Sequence, residues 1–220
     1  MKKGVRQADI LMSHTHWDHI NGFPFFSPAY QPDHEFRIMA GHLFDIKENL
    51  SDIMAGQMDQ PTFPVPIQTM RSKLTFEDFV AGDSFTLGKN IKVTTTLLRH
   101  PDNATGYRID YGGKSFCYVT DTEHIPDKPD ENILNLIDHA DVVVYDCTYT
   151  DREFPSRIGW GHSTWQEGVR LCKLANAKRL VIFHHDPDHE DPFLELLEAE
   201  ARMAWDGALM CRENMRLNLA

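Results

Sequence analysis

Four side chains able to hold a metal ion fall within six residues at His14-x-His16-x-Asp18-His19. They directly follow an apolar run, residues 8–12, that reads as a short buried strand. Residues two apart in an extended segment face the same side. His14 and His16 can therefore converge on one ion while Asp18 and His19, around the turn, reach a second. Imidazole and carboxylate at this density suit zinc, and also manganese or iron. Three further donors follow other strands: His100 after residues 91–98, Asp121 after 115–120, and His184, with His185 and Asp186 behind it, after 179–183. Taken singly, each has an ordinary reading as a solvated loop residue or turn former. Their recurrence at strand ends marks them, because residues far apart in sequence meet there. His162 opens a helix in Gly161-His162-Ser163-Thr164, either as a functional imidazole or as the neighbour of an N-cap.

The elements that must carry these groups alternate strand and helix after a strand-rich start. Further strands are expected at 36–40, 74–80, 83–87, 105–111 and 141–146, with a hairpin turn at Gly112-Gly113. Helices are expected at 45–58, 131–139, 163–175, capped by Ser163 or Thr164, and 191–205, with Pro192 in the first turn. A last strand can begin at Ala208. Residues 21–32 read as a loop with one helical turn, and the proline-rich segment 60–70 as irregular. Arg108 and Lys114 read as solvated hairpin residues. The acidic run 186–191 reads either as support for His184 or as a surface loop.

The chain has 220 residues, a length that fits a single domain over 1–220. Its net charge of −11 repels phosphate backbones at long range and argues against stable nucleic-acid binding. It leaves room for a phosphodiester site in which bound metal supplies local positive charge. No apolar run approaches a membrane span, and no apolar segment follows the basic start, so a cytoplasmic location is expected. Four widely spaced cysteines suit a reducing compartment.

The ordered set His14, His16, Asp18, His19, His100, Asp121 and His184 resembles the metallo-β-lactamase fold superfamily. That resemblance implies an α/β (α+β) chain folded as a four-layer αββα sandwich with two divalent metal ions. By it, His14, His16 and His100 would hold the first metal, Asp18, His19 and His184 the second, and Asp121 would bridge both. His184 is preferred to His185 because the family's last ligand stands immediately after its strand. Asp18 and His162 are the catalytic candidates. The commonest class B β-lactamases place a cysteine where this chain has Asp121, and flavodiiron proteins a glutamate where it has His16. Both comparisons disfavour those chemistries. Gly161-His162-Ser163-Thr164 is similar to the His-x-Thr motif of ribonuclease Z and related phosphodiesterases.

The resemblance implies a hydrolase of a small phosphodiester, such as a cyclic nucleotide, acting through a metal-bridging hydroxide. A lactone or thioester hydrolase, with Tyr149 or Tyr107 assisting, and a non-catalytic regulatory module are the alternatives. Only thirteen residues precede His14, whereas the family has further strands there. The N-terminal strands are therefore expected to be partly missing, and the exposed strand edge to be covered in a homodimer.

Overall fold

The computed structural model describes residues 4–219, so the basic Lys2 and Lys3 lie outside the described residues. Two compact units divide the chain, residues 1–81 and 82–220.

In the first unit, β1 (Gln7–Met12), β2 (Glu35–Ala40) and β3 (Lys73–Asp78) form a parallel sheet in the order β1-β2-β3. Alternation along β2 explains its central place. Phe36, Ile38 and Ala40 are fully buried, in one cluster with Leu50 and Met54 of α2 (Leu50–Gly56). Arg37 points the other way, donating through Nε to Asp9 on β1 at 2.7 Å and through a terminal nitrogen to Glu77 on β3 at 3.3 Å. Such cross-strand pairs help set register. The buried strand expected at 8–12 is instead an edge strand. Residues 7–9 are exposed and 10–12 half-buried, because β1 pairs with β2 on one side.

The helix expected at 45–58 is shorter. Asn49 takes an extended conformation and its side chain accepts from the Asp52 amide at 2.9 Å, so the helix starts at Leu50. Residues 21–32 hold two 3-10 turns, Phe23–Phe25 and Ser27–Tyr30, rather than one. Segment 60–70 is not wholly irregular. Pro66 precedes a 3-10 turn at Ile67–Thr69, where a missing proline amide costs nothing.

The second unit holds β4 (Ser84–Leu87), β5 (Ile91–Leu98), β6 (Ala104–Tyr111), β7 (Lys114–Val119), β8 (Val142–Asp146), β9 (Leu180–Phe183) and β10 (Ala208–Met210), in the order β10-β9-β8-β7-β6-β5-β4. β4 to β7 pair antiparallel, and β7 to β10 parallel. Two antiparallel steps restore direction, so β5, β7, β8 and β9 all run the same way and end at one edge of the sheet. Every residue of β8 is buried, as expected for a parallel strand covered on both faces. The core gathers apolar residues of α3 (Glu131–Ile137), α4 (Trp165–Leu174) and α5 (Asp191–Ala204) against the sheet.

Thr164, not Ser163, caps α4, its hydroxyl accepting from the Glu167 amide at 3.1 Å. Arg108 is not a solvated hairpin residue. Its Nε donates to Asp110, and a terminal nitrogen donates to the carbonyls of Leu136, at 3.0 Å, and Asp138, at 2.7 Å. The guanidinium satisfies the carbonyl end of α3, where a cation is favoured. No helix among the described residues is long and apolar enough to cross a membrane.

Candidate metal centre and its outer partners

In the first unit the donors follow β1 and enter α1 (Trp17–Ile20). His14 is buried, with its ring centroid 4.6 Å from that of His16 and 4.2 Å from that of His19. Nε2 of His19 stands 3.2 Å from a carboxylate oxygen of the exposed Asp18. His16 occupies the N-cap position of α1 without capping through its side chain. The expected four donors are thus together. A fourth histidine, His42, was not anticipated: it is buried, its ring is 6.3 Å from His14, and its Nε2 is 3.0 Å from the Thr15 hydroxyl.

In the second unit, the shared direction of β5, β7, β8 and β9 brings the residues beyond them to one edge. Asp121 is buried and sits between two imidazoles. Its Oδ2 is 3.8 Å from Nε2 of His100, and its Oδ1 is 3.5 Å from Nε2 of His184. Both gaps exceed hydrogen-bond length. Two ligand atoms each about 2 Å from one ion would stand roughly 3–4 Å apart, so the spacing fits a cation held between them. The Thr120 hydroxyl donates to Asp121 Oδ1 at 2.6 Å and fixes the carboxylate. Asp121 and His184 both have positive φ, 55° and 62°. Non-glycine residues in that region are uncommon and, at a donor cluster, point to function.

The outer nitrogens of three histidines decide their tautomers. His100 Nδ1 lies 2.8 Å from the Gly161 carbonyl, which can only accept, so Nδ1 carries the proton. His162 Nδ1 donates to Asp146 Oδ2 at 3.0 Å. The Thr148 hydroxyl, 2.8 Å from Asp146 Oδ1, gives its one hydrogen there and so accepts from His184 Nδ1 at 3.0 Å. The lone pair of each neutral ring is therefore on Nε2, the form that ligates metal, with an outer partner holding the ring. Donor atoms of His100, Asp121 and His162 lie within 4.8 Å of one another, as do those of Asp146, His162 and His184.

Asp146, Thr148 and Glu123 escaped the sequence reading. Asp146, fully buried at the end of β8, also accepts from the amides of Thr122, at 3.0 Å, and Thr148, at 3.1 Å. It obeys the same rule of a strand ending in a donor that selected Asp121. Glu123 accepts from the amides of Gly159, at 2.7 Å, and Gly161, at 3.0 Å. Gly161 has φ +86°, and a Cβ there would strike the His100 ring and Pro101. The motif Gly161-His162-Ser163-Thr164 is used throughout: Ser163 bonds His124 Nδ1 at 2.8 Å and the Tyr145 hydroxyl at 3.0 Å, while Thr164 caps α4.

His185 turns away, its Nε2 3.4 Å from the Cys211 carbonyl, and burial lowers its pKa. In segment 186–191, Asp186 accepts from the Asp188 amide at 2.9 Å, and His189 meets Glu153 at 2.9 Å. The Tyr149 ring stands 6.1 Å from His162. Tyr107 is buried within β6, its phenol pushed up by that burial.

The sequence profile described as a beta-lactamase superfamily domain matches residues 2–185. A ribonuclease Z of Parabacteroides distasonis is 25% identical over 81% of this chain and 51% of its own length. The chain spans 32% to 51% of the length of this and two other ribonucleases Z, of Sulfurisphaera tokodaii and Picrophilus torridus. The human short-form tRNase Z superposes with a TM-score of 0.65 at 19% identity, covering 83% of this chain and 74% of that one. A diphosphatase of the PhnP family superposes with a TM-score of 0.67 at 18% identity, covering 100% and 74%. The metallo-beta-lactamase fold protein YhfI of Bacillus subtilis superposes with a TM-score of 0.66 at 22% identity, covering 93% and 74%, in the fold class that the ligand order implied. With its profile match running from residue 2 to residue 185, the chain belongs to the beta-lactamase superfamily.

Proposed function

We propose that the chain is a metal-dependent hydrolase with a dinuclear site, and that it acts on a small phosphodiester such as a cyclic nucleotide. His14, His16, Asp18, His19, His100, Asp121 and His184 would hold the metals, in the family's order along the chain. The observation that carries this reading is Asp121 between the Nε2 atoms of His100 and His184, with both outer nitrogens tied. Two bound divalent ions, zinc or else manganese or iron, would supply Lewis acidity toward a phosphoryl oxygen and a lowered pKa for water.

His162 has a different part. Its Nδ1 proton is committed to Asp146, so the ring can take or release a proton only at Nε2. Once protonated at Nε2, the imidazolium would hand that proton to the leaving oxygen and return to the neutral ring, and Asp146, acting through it, is a positioning residue. The net charge of −11 favours a small substrate over RNA. A polynucleotide substrate is the second reading, favoured by the ribonuclease Z relatives.

Bis-p-nitrophenyl phosphate, a lactone, a thioester and a short RNA, offered to the metal-loaded protein, separate these readings. Turnover of the first alone is expected. Turnover of the lactone or thioester alone overturns the phosphodiester reading, and preferred cleavage of RNA overturns the small substrate.

The four cysteines are free thiols, three of them buried, which fits a cytoplasmic protein. The homodimer would form at β1, an edge strand with one partner in its sheet. Sedimentation at micromolar concentration should show a dimer, and a stable monomer overturns it.

A further inference from the structure

The segment leading into His162 presents an exposed aromatic side chain on a rigid mount. Trp160 is 60% exposed, two residues before His162. Single apolar residues on a surface are ordinary, but the backbone on both sides of this one is pinned. The buried Glu123 accepts from the amides of Gly159 and Gly161 through one oxygen. Both glycines have positive φ, 89° and 86°. The Trp160 amide donates to the Arg157 carbonyl at 3.1 Å. A buried acidic group thus orders the two peptide units that flank an outward-facing indole, at the conformational cost that ordering carries.

Arg157 completes the mount. Its guanidinium carbon lies 5.0 Å from the Trp160 ring centroid and 5.8 Å from that of Tyr149. Tyr149 in turn stands edge-on to His162 at 6.1 Å. An unbroken series of flat groups therefore runs from the proton-handling imidazole out to a fixed indole face. A planar ring offers sequence-tolerant stacking to any nucleobase.

We propose that Trp160 is a stacking platform for the base of a nucleoside-bearing phosphodiester, backed by Arg157. This rests on the reading of His162 as a phosphoester group and narrows the substrate class: the ester would carry a purine or pyrimidine rather than an alkyl or sugar phosphate alone.

Calorimetric binding of AMP and of ribose 5-phosphate to the full, metal-loaded chain tests this without turnover. The two probes share the phosphate and ribose and differ by the base. AMP should bind about 10-fold more tightly, the usual scale of one base stacked on an aromatic ring. Trp160→Ala should erase that preference while metal content and melting temperature stay unchanged, and Trp160→Phe should retain most of it. Equal binding of both probes by the unaltered chain overturns the platform, as does a preference that survives Trp160→Ala. A Trp160-dependent preference for AMP in a protein that hydrolyses no phosphodiester supports the platform and overturns the phosphodiester reading alone.

Discussion

The donors of the first unit come from one stretch of chain, whereas those of the second come from three strand ends and the segment that enters α4. His14, His16 and His19 pack ring on ring, and a single turn sets their spacing. His100, Asp121 and His184 are brought together by the common direction of β5, β7 and β9, His162 joins them through Asp146 at the end of β8, and a hydrogen bond locks each histidine from behind. A local motif can rely on its own backbone. An assembled one needs outer partners, because nothing in the neighbouring sequence fixes its rings.

Several substitutions test that difference. Asp121→Ala removes the carboxylate that faces two imidazoles. Metal content should fall, and phosphodiester turnover should drop about 10³-fold or more, since the metals contribute several kcal/mol to such a reaction. Retained metal with full activity would break the assignment. His162→Ala should leave metal content intact and lower turnover about 10²-fold. Full activity would reduce His162 to part of a helix entry.

Asp146→Asn sharpens the comparison most directly. It should cost about 10- to 100-fold in activity or metal affinity, as loss of an outer partner does. Thr15→Val, which removes the hydroxyl facing His42, should cost less. Equal losses would mean that both clusters depend alike on their partners.

Acid should also separate them. Burial lowers the pKa of His124, which bonds Ser163 beside His162. Between that lowered pKa and the ordinary 6.5, the unfolded chain takes up a proton that the folded one does not. Stability should therefore fall as pH drops through 6.5. Urea titrations in chelator at pH 8 and pH 5.5 should show the loss, and His124→Gln should shrink it. Arg108→Ala, far from the donors, should lower stability by about 1–2 kcal/mol through the freed carbonyls of α3 and leave activity untouched.

What the sequence disclosed follows the same division. His14-x-His16-x-Asp18-His19 was legible because its spacing is local, and Asp121 and His184 because each closes an apolar run. Asp146 also closes one, in residues 141–146, but it read as the strand's last residue. Thr148 and Glu123 carry no signal of their own, for the groups they hold at the site, His184 and Gly159, each lie 36 residues away. The end of α3 at Ile137 and the role of Arg108 were hidden for that reason too: a helix terminus was satisfied from a distant strand. The start of α2 was decidable locally, since Asn49 is an N-cap type three residues before Asp52.

Asp146 also has a consequence for breathing motions. Its carboxylate receives the amides of Thr122 and Thr148 and the ring of His162, so three loops share one anchor. Each can open only by giving up its own bond to that one carboxylate. The amide hydrogens of Thr122 and Thr148, 26 residues apart, should therefore exchange with solvent as one cooperative unit, slowly and at matched rates.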